Sequence, residues 1–348
     1  MNARTIDSTP ASALPAASLP LPTPTRIGLG LDAGGTQTRW ALGDALGRVQ
    51  AEGVAASMSG AQLGSAGGRA QIQATLQAIA RECNGAVEAG SVAGPVQAAV
   101  AGVTGVGAEH LPTLCALVAE AFVLPADRVQ AMSDIELACH AAFAPGEGYV
   151  VYAGTGSIAA FLDAEGTLQR AGGRGALIDD AGGGHWIARE ALRRIWRAED
   201  ESPGAWRQSA LAARVFERLG GSNWSLTRAW VYGTSRGELG TLALAVAAAA
   251  EEDPAALSIL QAAGTELARL ALALTRRHGV RPLALAGRVF DLHPAIEAHL
   301  LAALPGGAAV QRQMLPFHHA AAVLAARVPA ASAAAVLAAR VPSHPPAP

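Results

Sequence analysis

The sequence predicts an α/β protein built from two domains of common design. Segments that read as strands and as helices alternate along the chain, and one hairpin-like stretch recurs 119 residues further on. A length of 348 residues is ample for two cores, since single domains run to about 150 residues.

The elements follow in order. Residues 1–25 are mostly Ala, Ser, Thr and Pro, too poor in packing side chains to order themselves. RIGLGLDA (26–33), TRWALGD (38–44) and RVQAEGVA (48–55) read as three strands joined by glycine-containing turns. A helix is expected near 69–82, a strand at 96–102, a helix over 108–122, and a short strand ending at Asp134. The pattern then restarts with strands in YVVYAG (149–154), SIAAFLD (157–163) and TLQRAGG (167–173), followed by long helices. PLALAG (282–287) is a late strand running into a turn. After about Arg327 the chain becomes a second tail, in which AAAVLAARVP of 320–329 recurs at 333–342.

The restart is also a repeat of residues. Aligning 35–50 with 154–169 matches seven of sixteen positions: Gly35/Gly154, Thr36/Thr155, Ala41/Ala160, Asp44/Asp163, Ala45/Ala164, Gly47/Gly166 and Gln50/Gln169. Turn chemistry favours Gly and Asp at such places, but it does not dictate Ala41 or Gln50. One hairpin unit used twice is the economical reading.

Composition removes several classes of chemistry. All 26 basic residues are arginine, so neither a P-loop lysine nor a Schiff-base amine is available. The formal charge of −2 has no basic cluster, which argues against nucleic-acid or anionic-membrane partners. Cys83, Cys115 and Cys139 are widely spaced and form no CxxC, which suits a reducing cytoplasm. The N-terminus lacks the continuous apolar stretch of a secretory signal. The oligomeric state stays open, with a homodimer as the one assembly considered.

The chemistry-bearing segments are glycine-rich turns and acids at strand ends. Asp32 closes the first strand, and Gly34, Gly35, Thr36, Gln37 and Thr38 form the turn after it. Its amides can make an anion nest, and Asp32 can hold Mg²⁺ or its water shell beside a phosphate. A plain hairpin would use the same residues. The second turn, Gly154, Thr155, Gly156 and Ser157, gives the first a counterpart, so the two can hold the phosphates of one nucleotide. Asp134 stands where a strand meets a helix, either as an N-cap or as a general base. The glycine-rich segment 172–185 contains Gly173, Arg174, Asp179 and Asp180, and its paired acids suit hydroxyl recognition. Gly287 follows a buried-looking strand, where an adenosine could pack.

In these residues the chain resembles the BadF/BadG/BcrA/BcrD-type ATPases, and among them the N-acetylglucosamine and glucosamine kinases, over most of 26–328. DAGGTQT and AGTGS look like the two phosphate motifs, SDIELACHAA the connecting segment, GGRGALIDDAGGGHWIAREAL the sugar-side loop, and ALAGRVF the adenosine-side turn. The resemblance implies two ribonuclease H-like, actin-like ATPase domains closing over ATP. It sets them at 26–133 (closed by a helix near 317–328) and 134–316, with 329–348 as a tail. It implies an ATP- and Mg²⁺-dependent kinase acting on a small amino sugar, glucosamine or N-acetylglucosamine, at O6. Asp134 would be the base, Thr36 and Thr155 would touch ATP, and Ser57, Gly173, Arg174 and Asp180 would hold the sugar. The acetylated-sugar kinases carry Trp where this chain has Arg174; the GGR form resembles the glucosamine kinases. Two rivals remain: an ATPase that activates a partner enzyme through an iron–sulfur cluster, and a non-catalytic sensor of ATP or sugar.

Overall fold

Each half of the chain folds around a five-stranded sheet, and the two sheets have the same plan. The structure is a computed structural model that describes residues 26–305, 308–313 and 316–328; both tails and the second AAAVLAARVP copy lie outside the described residues. The first half runs β1 (Ile27–Ala33), β2 (Thr38–Gly43), β3 (Val49–Ala55), α1 (Gly60–Leu63), α2 (Ala66–Glu88), β4 (Val96–Val103), α3 (Leu111–Phe122) and β5 (Val129–Ser133). Short turns make β1, β2 and β3 an antiparallel meander. The helical crossovers α2 and α3 instead place β4 and β5 parallel to β1, giving the order β3-β2-β1-β4-β5.

After α4 (Asp134–Ala142), the second half repeats this with β6 (Tyr149–Ala153), β7 (Ser157–Leu162) and β8 (Leu168–Gly172). The helices α5 (Gly184–Glu201), α6 (Ala210–Leu219), α7 (Trp224–Gly233), α8 (Arg236–Gly240), α9 (Ala243–Ala249) and α10 (Pro254–His278) follow. The chain ends in β9 (Leu283–Ala286), α11 (Pro294–Ala303), β10 (Val310–Arg312) and α12 (Phe317–Arg327). The second sheet is β10-β9-β6-β7-β8, with β6–β9 and β9–β10 parallel and the meander antiparallel. The short strand β10 was not expected, because three residues after a Pro-Gly-Gly stretch carry no readable alternation.

The matched turn residues do the same work in both halves. Asp44 Oδ1 accepts from the amides of Leu46 (2.9 Å) and Arg48 (3.1 Å), and Asp163 Oδ1 from that of Thr167 (2.7 Å). The hairpins differ at their first turns. Ala33 pairs with Thr38 and Ala153 with Ser157, so the first loop is one residue longer.

In β1, Ile27, Leu29 and Leu31 point into a core shared with Ile72, Leu76 and Ile79 of α2 and Leu114 and Val118 of α3. The opposite face, with Gly28 and Gly30, receives α12. A Cβ on Gly30 would lie 2.0 Å from the His318 carbonyl oxygen, so α12 rests directly on strand backbone. The alanines of α12 complete this fit: Ala320, Ala321, Ala322, Ala325 and Ala326 are all buried. At its start, the Phe317 ring stands 6.1 Å from that of Tyr152 in the second sheet. By length and composition α10 could cross a membrane, but Ile259, Leu260, Leu267 and Leu274 are buried in the second core.

Candidate active site

The end of β1, the start of α4 and the end of β6 bring Asp32, Asp134 and Tyr152 together. Burial, and then the charge of Asp134, push the Asp32 carboxyl up to about 6, while Arg39 pulls the other way. Burial and the charges of Asp134 and Asp32 likewise raise Tyr152, opposed by Arg288 and Arg39. Asp32 and Arg39 are cross-strand partners, so one cation is delivered to the site by β-sheet register.

Ser133, rather than Asp134, stands at the N-cap of α4. Its hydroxyl caps α4 by accepting from the Glu136 amide at 3.3 Å. Asp134 is therefore the first helical residue, and its Oδ1 accepts from the Ile135 amide at 2.9 Å. The cap is filled by its neighbour, which leaves the Asp134 carboxylate beside Asp32 and Tyr152.

The first turn is open to solvent at its tip. The Gly34 amide donates to the Gln37 carbonyl at 3.0 Å, and Gly35 and Thr36 are exposed. The Gln37 amide, with its oxygen turned to Arg39, accepts from Nε at 3.2 Å and Nη2 at 2.7 Å. Thr38 is fully buried and its hydroxyl has no partner among the described residues. It lies inside the protein, whereas Thr36 is free to meet a ligand.

The second turn is braced by the loop that follows β8. The Gly154 amide donates to the Gly156 carbonyl at 2.9 Å, and Thr155 is exposed. Buried Ser157 donates its hydroxyl to the Ala181 carbonyl at 2.7 Å. The amides of Gly184 and His185 donate to the carbonyls of Gly154 (2.8 Å) and Thr155 (3.0 Å). Asp180 has a left-handed backbone (φ 63°) and is buried. Its Oδ1 accepts from the Gly175 amide at 3.2 Å, and Oδ2 stands 3.7 Å from Arg236 Nη1 on α8. The same oxygen would be 2.4 Å from a Cβ on Gly156, so Asp180 lies against the second turn.

The paired acids diverge. Asp179 binds Arg269 at 3.0 Å and caps the Ala181 amide, on a different side from Asp180. Gly173 and Arg174 are exposed and Ser57 is half-buried in the loop after β3. Among the described residues, no hydrogen bond or ion pair links Ser57 or Arg174 to Asp134 or Asp180. Gly287, at φ 98°, would place a Cβ 2.3 Å from the Ala153 carbonyl oxygen. The end of β9 is thereby seated against the residue that opens the second turn.

Arg39, Tyr152 and Arg236 were not singled out in the sequence, and Arg288 only as the residue after Gly287. Arg39 had a signal, since it is the exposed position between buried Thr38 and Trp40 in β2. Tyr152 directly precedes the second turn's Ala153. Nothing local marked Arg236, which arrives from a helix far along the chain.

The donors fit a hard divalent cation. Asp32 and Asp134 supply carboxylate oxygens, and burial, followed by the charge of Asp134, disfavours the ionised Asp32 carboxylate, a penalty that such an ion would relieve.

The BadF/BadG/BcrA/BcrD ATPase family matches residues 29–322. Sequence comparison with curated proteins gives no significant match. Among solved structures, a candidate N-acetylglucosamine kinase of Chromobacterium violaceum is similar, with 25% identity and a TM-score of 0.65, covering 88% of this chain and all of that one. One of Porphyromonas gingivalis has 17% identity and a TM-score of 0.68, covering 85% and 97%. A ROK family glucokinase of Streptomyces griseus, solved with glucose and AMPPNP, has 19% identity and a TM-score of 0.53, covering 86% and 98%. With the two like sheets, these similarities give an actin-like, two-domain α/β fold. On the extent of the family match, the chain belongs to the BadF/BadG/BcrA/BcrD ATPase family.

Proposed function

We propose that this chain is an ATP-dependent kinase that phosphorylates glucosamine or N-acetylglucosamine at O6. The supporting observation is the convergence of Asp32, Asp134 and Tyr152 from both halves, with Thr36 and Thr155 exposed on twin turns. Asp134 takes the proton from the sugar hydroxyl as its oxygen attacks the γ-phosphorus, and the bond to the ADP oxygen breaks in line. Amides and hydroxyls of the two turns hold the phosphates, and Gly287 borders the adenosine. Asp32 would hold Mg²⁺, directly or through water; that ion, when bound, would neutralise developing phosphate charge. Asp180, with Gly173, Arg174 and Ser57, is assigned to the sugar side.

The same reading divides the chain into domains at 26–133, completed by α12, and at 134–316, and makes it a cytoplasmic enzyme. The iron–sulfur rival is disfavoured by the cysteines. Cys83 and Cys139 lie in helices, and burial pushes both thiols up to about 12, away from the thiolate a cluster needs.

The test is coupled ADP release with Mg-ATP against glucosamine, N-acetylglucosamine, N-acetylmuramic acid, glucose and no sugar. Stimulation by one amino sugar, reduced about 10²–10⁴-fold in Asp134→Asn, is the expected result. Hydrolysis indifferent to sugar, or an unimpaired Asp134→Asn protein, would refute the reading.

A further inference from the structure

Glu52 on β3 meets His318 and His319, 267 residues from it at most, at the first turn of α12. The Nε2 atoms of His319 and His318 stand 2.6 and 3.5 Å from Glu52 Oε2. One donor atom from each of the three residues lies within 4.8 Å of the others. Among the described residues, no other group of three such side chains converges in this way. His318 is buried, His319 is half-buried and Glu52 is exposed, so the cluster is closed on the protein side and open on the solvent side.

Sequence neighbours on a helix normally point about 100° apart, because 3.6 residues make a turn. Here both rings reach one carboxylate, with centroids 4.4 Å apart. The close seat of α12 makes this geometry accessible. Gly30 lets the His318 carbonyl oxygen approach to where a Cβ would be 2.0 Å away, drawing the helix start down to the sheet beside Glu52.

The donor set has the chemistry of a zinc-class site. Two imidazoles and one carboxylate, with water in the fourth position, are a familiar set for zinc. Bonds of about 2.0–2.1 Å separate tetrahedral donors by about 3.3 Å, a spacing the two observed contacts bracket. This set differs in kind from the oxygen donors at Asp32, which suit a hard cation.

We propose that Glu52, His318 and His319 bind one divalent ion of the zinc class, which fastens the start of α12 to β3. The position gives the ion a structural consequence. Phe317, the residue before the pair, packs against Tyr152 of the second sheet. The ion would stiffen the segment by which the chain returns from the second sheet to the first. This inference stands apart from the kinase reading and would survive its failure.

The test uses the full chain, stripped with a chelator and dialysed. Zinc alone is titrated by calorimetry, and cobalt by its visible absorption. The expected result is one ion per chain, a four-coordinate cobalt spectrum, and a melting temperature raised by zinc. Glu52→Gln and His319→Ala should each weaken binding at least about tenfold, while Asp32→Asn should retain it. Glu52→Gln keeps the size of the side chain and one acceptor oxygen, and its zinc-free melting is measured beside the parent's, so that weakening of the histidine contacts is separated from loss of zinc binding. No saturable zinc uptake by the parent would overturn the proposal, as would parent-like affinity in Glu52→Gln and His319→Ala; the cluster would then be a hydrogen-bonded staple only.

Discussion

Asp134, at the start of α4, faces Asp32, at the end of β1, and adds its charge to the burial that is the larger cause of the rise of the Asp32 carboxyl from 3.8 to about 6. Two acids in one half-buried site are a local cost that the rest of the fold sustains, as is common where a cation or a phosphate is to be bound.

The sign of that cost can be worked out. The folded state holds the Asp32 proton more tightly than the unfolded chain, so this group removes stability as pH rises from about 4 through about 6. Asp32→Asn should therefore stabilise the ligand-free protein at pH 8, by up to about 3 kcal/mol, with little effect near pH 4. It should also abolish stabilisation by Mg-ATP. Melting curves across pH decide this; a variant less stable than its parent at pH 8 would contradict it.

Gly287 is held by both its backbone and its surroundings, with φ at 98° and the Ala153 carbonyl oxygen 2.3 Å from any Cβ. Gly287→Ala should lose about 3 kcal/mol or more in chemical denaturation. Because Ala153 opens the second turn, the variant that remains folded should also bind ATP more weakly. Unchanged stability would mean that β9 can draw away from β6 without loss.

Arg236 pairs with Asp180 beside the second turn. In a chain without lysine, it is a cation available to the phosphates or to the orientation of Asp180. Arg236→Ala should raise a substrate KM by about tenfold, the worth of one charge-assisted contact, with kcat nearly intact. Inhibition kinetics with ADP will tell whether the loss falls on nucleotide or sugar; equal KM values for both substrates in parent and variant would remove Arg236 from the site.

Gly30 and Gly35 form a contrasting pair. A Cβ on Gly30 meets the backbone of His318 and Ala322 at 2.0 and 2.3 Å, whereas one on Gly35 meets nothing within 4 Å. Gly30→Ala should cost about 3 kcal/mol or more by unseating α12. Gly35→Ala should change stability by less than about 1 kcal/mol while weakening ATP binding. Urea unfolding of both proteins, with and without ATP, separates the two roles.

Much of the architecture was legible in the chain. The alternation of strands and helices, the restart after Asp134 and the turns at Asp44 and Asp163 are all present where the residues implied them. The extra residue in the first turn was hidden, because matching Gly35 with Gly154 aligns the strands after the turn and says nothing of those before it. The Asp179–Asp180 pair looked like one feature in sequence, but the left-handed backbone at Asp180 sends the two carboxylates to different partners.

By itself the sequence determined what acts over a few residues: strand and helix periodicity, and the glycine turn that follows Asp32 at the end of the first strand. Only the tertiary structure decided that Ser133 takes the cap and leaves Asp134 for the cleft, that Arg39 and Tyr152 join it, and that His318 and His319 reach Glu52. The last of these depends on how closely an alanine-rich helix can lie on Gly28 and Gly30. Such a fit is set by the absence of side chains on two distant segments, and neither segment carries a local mark of the other.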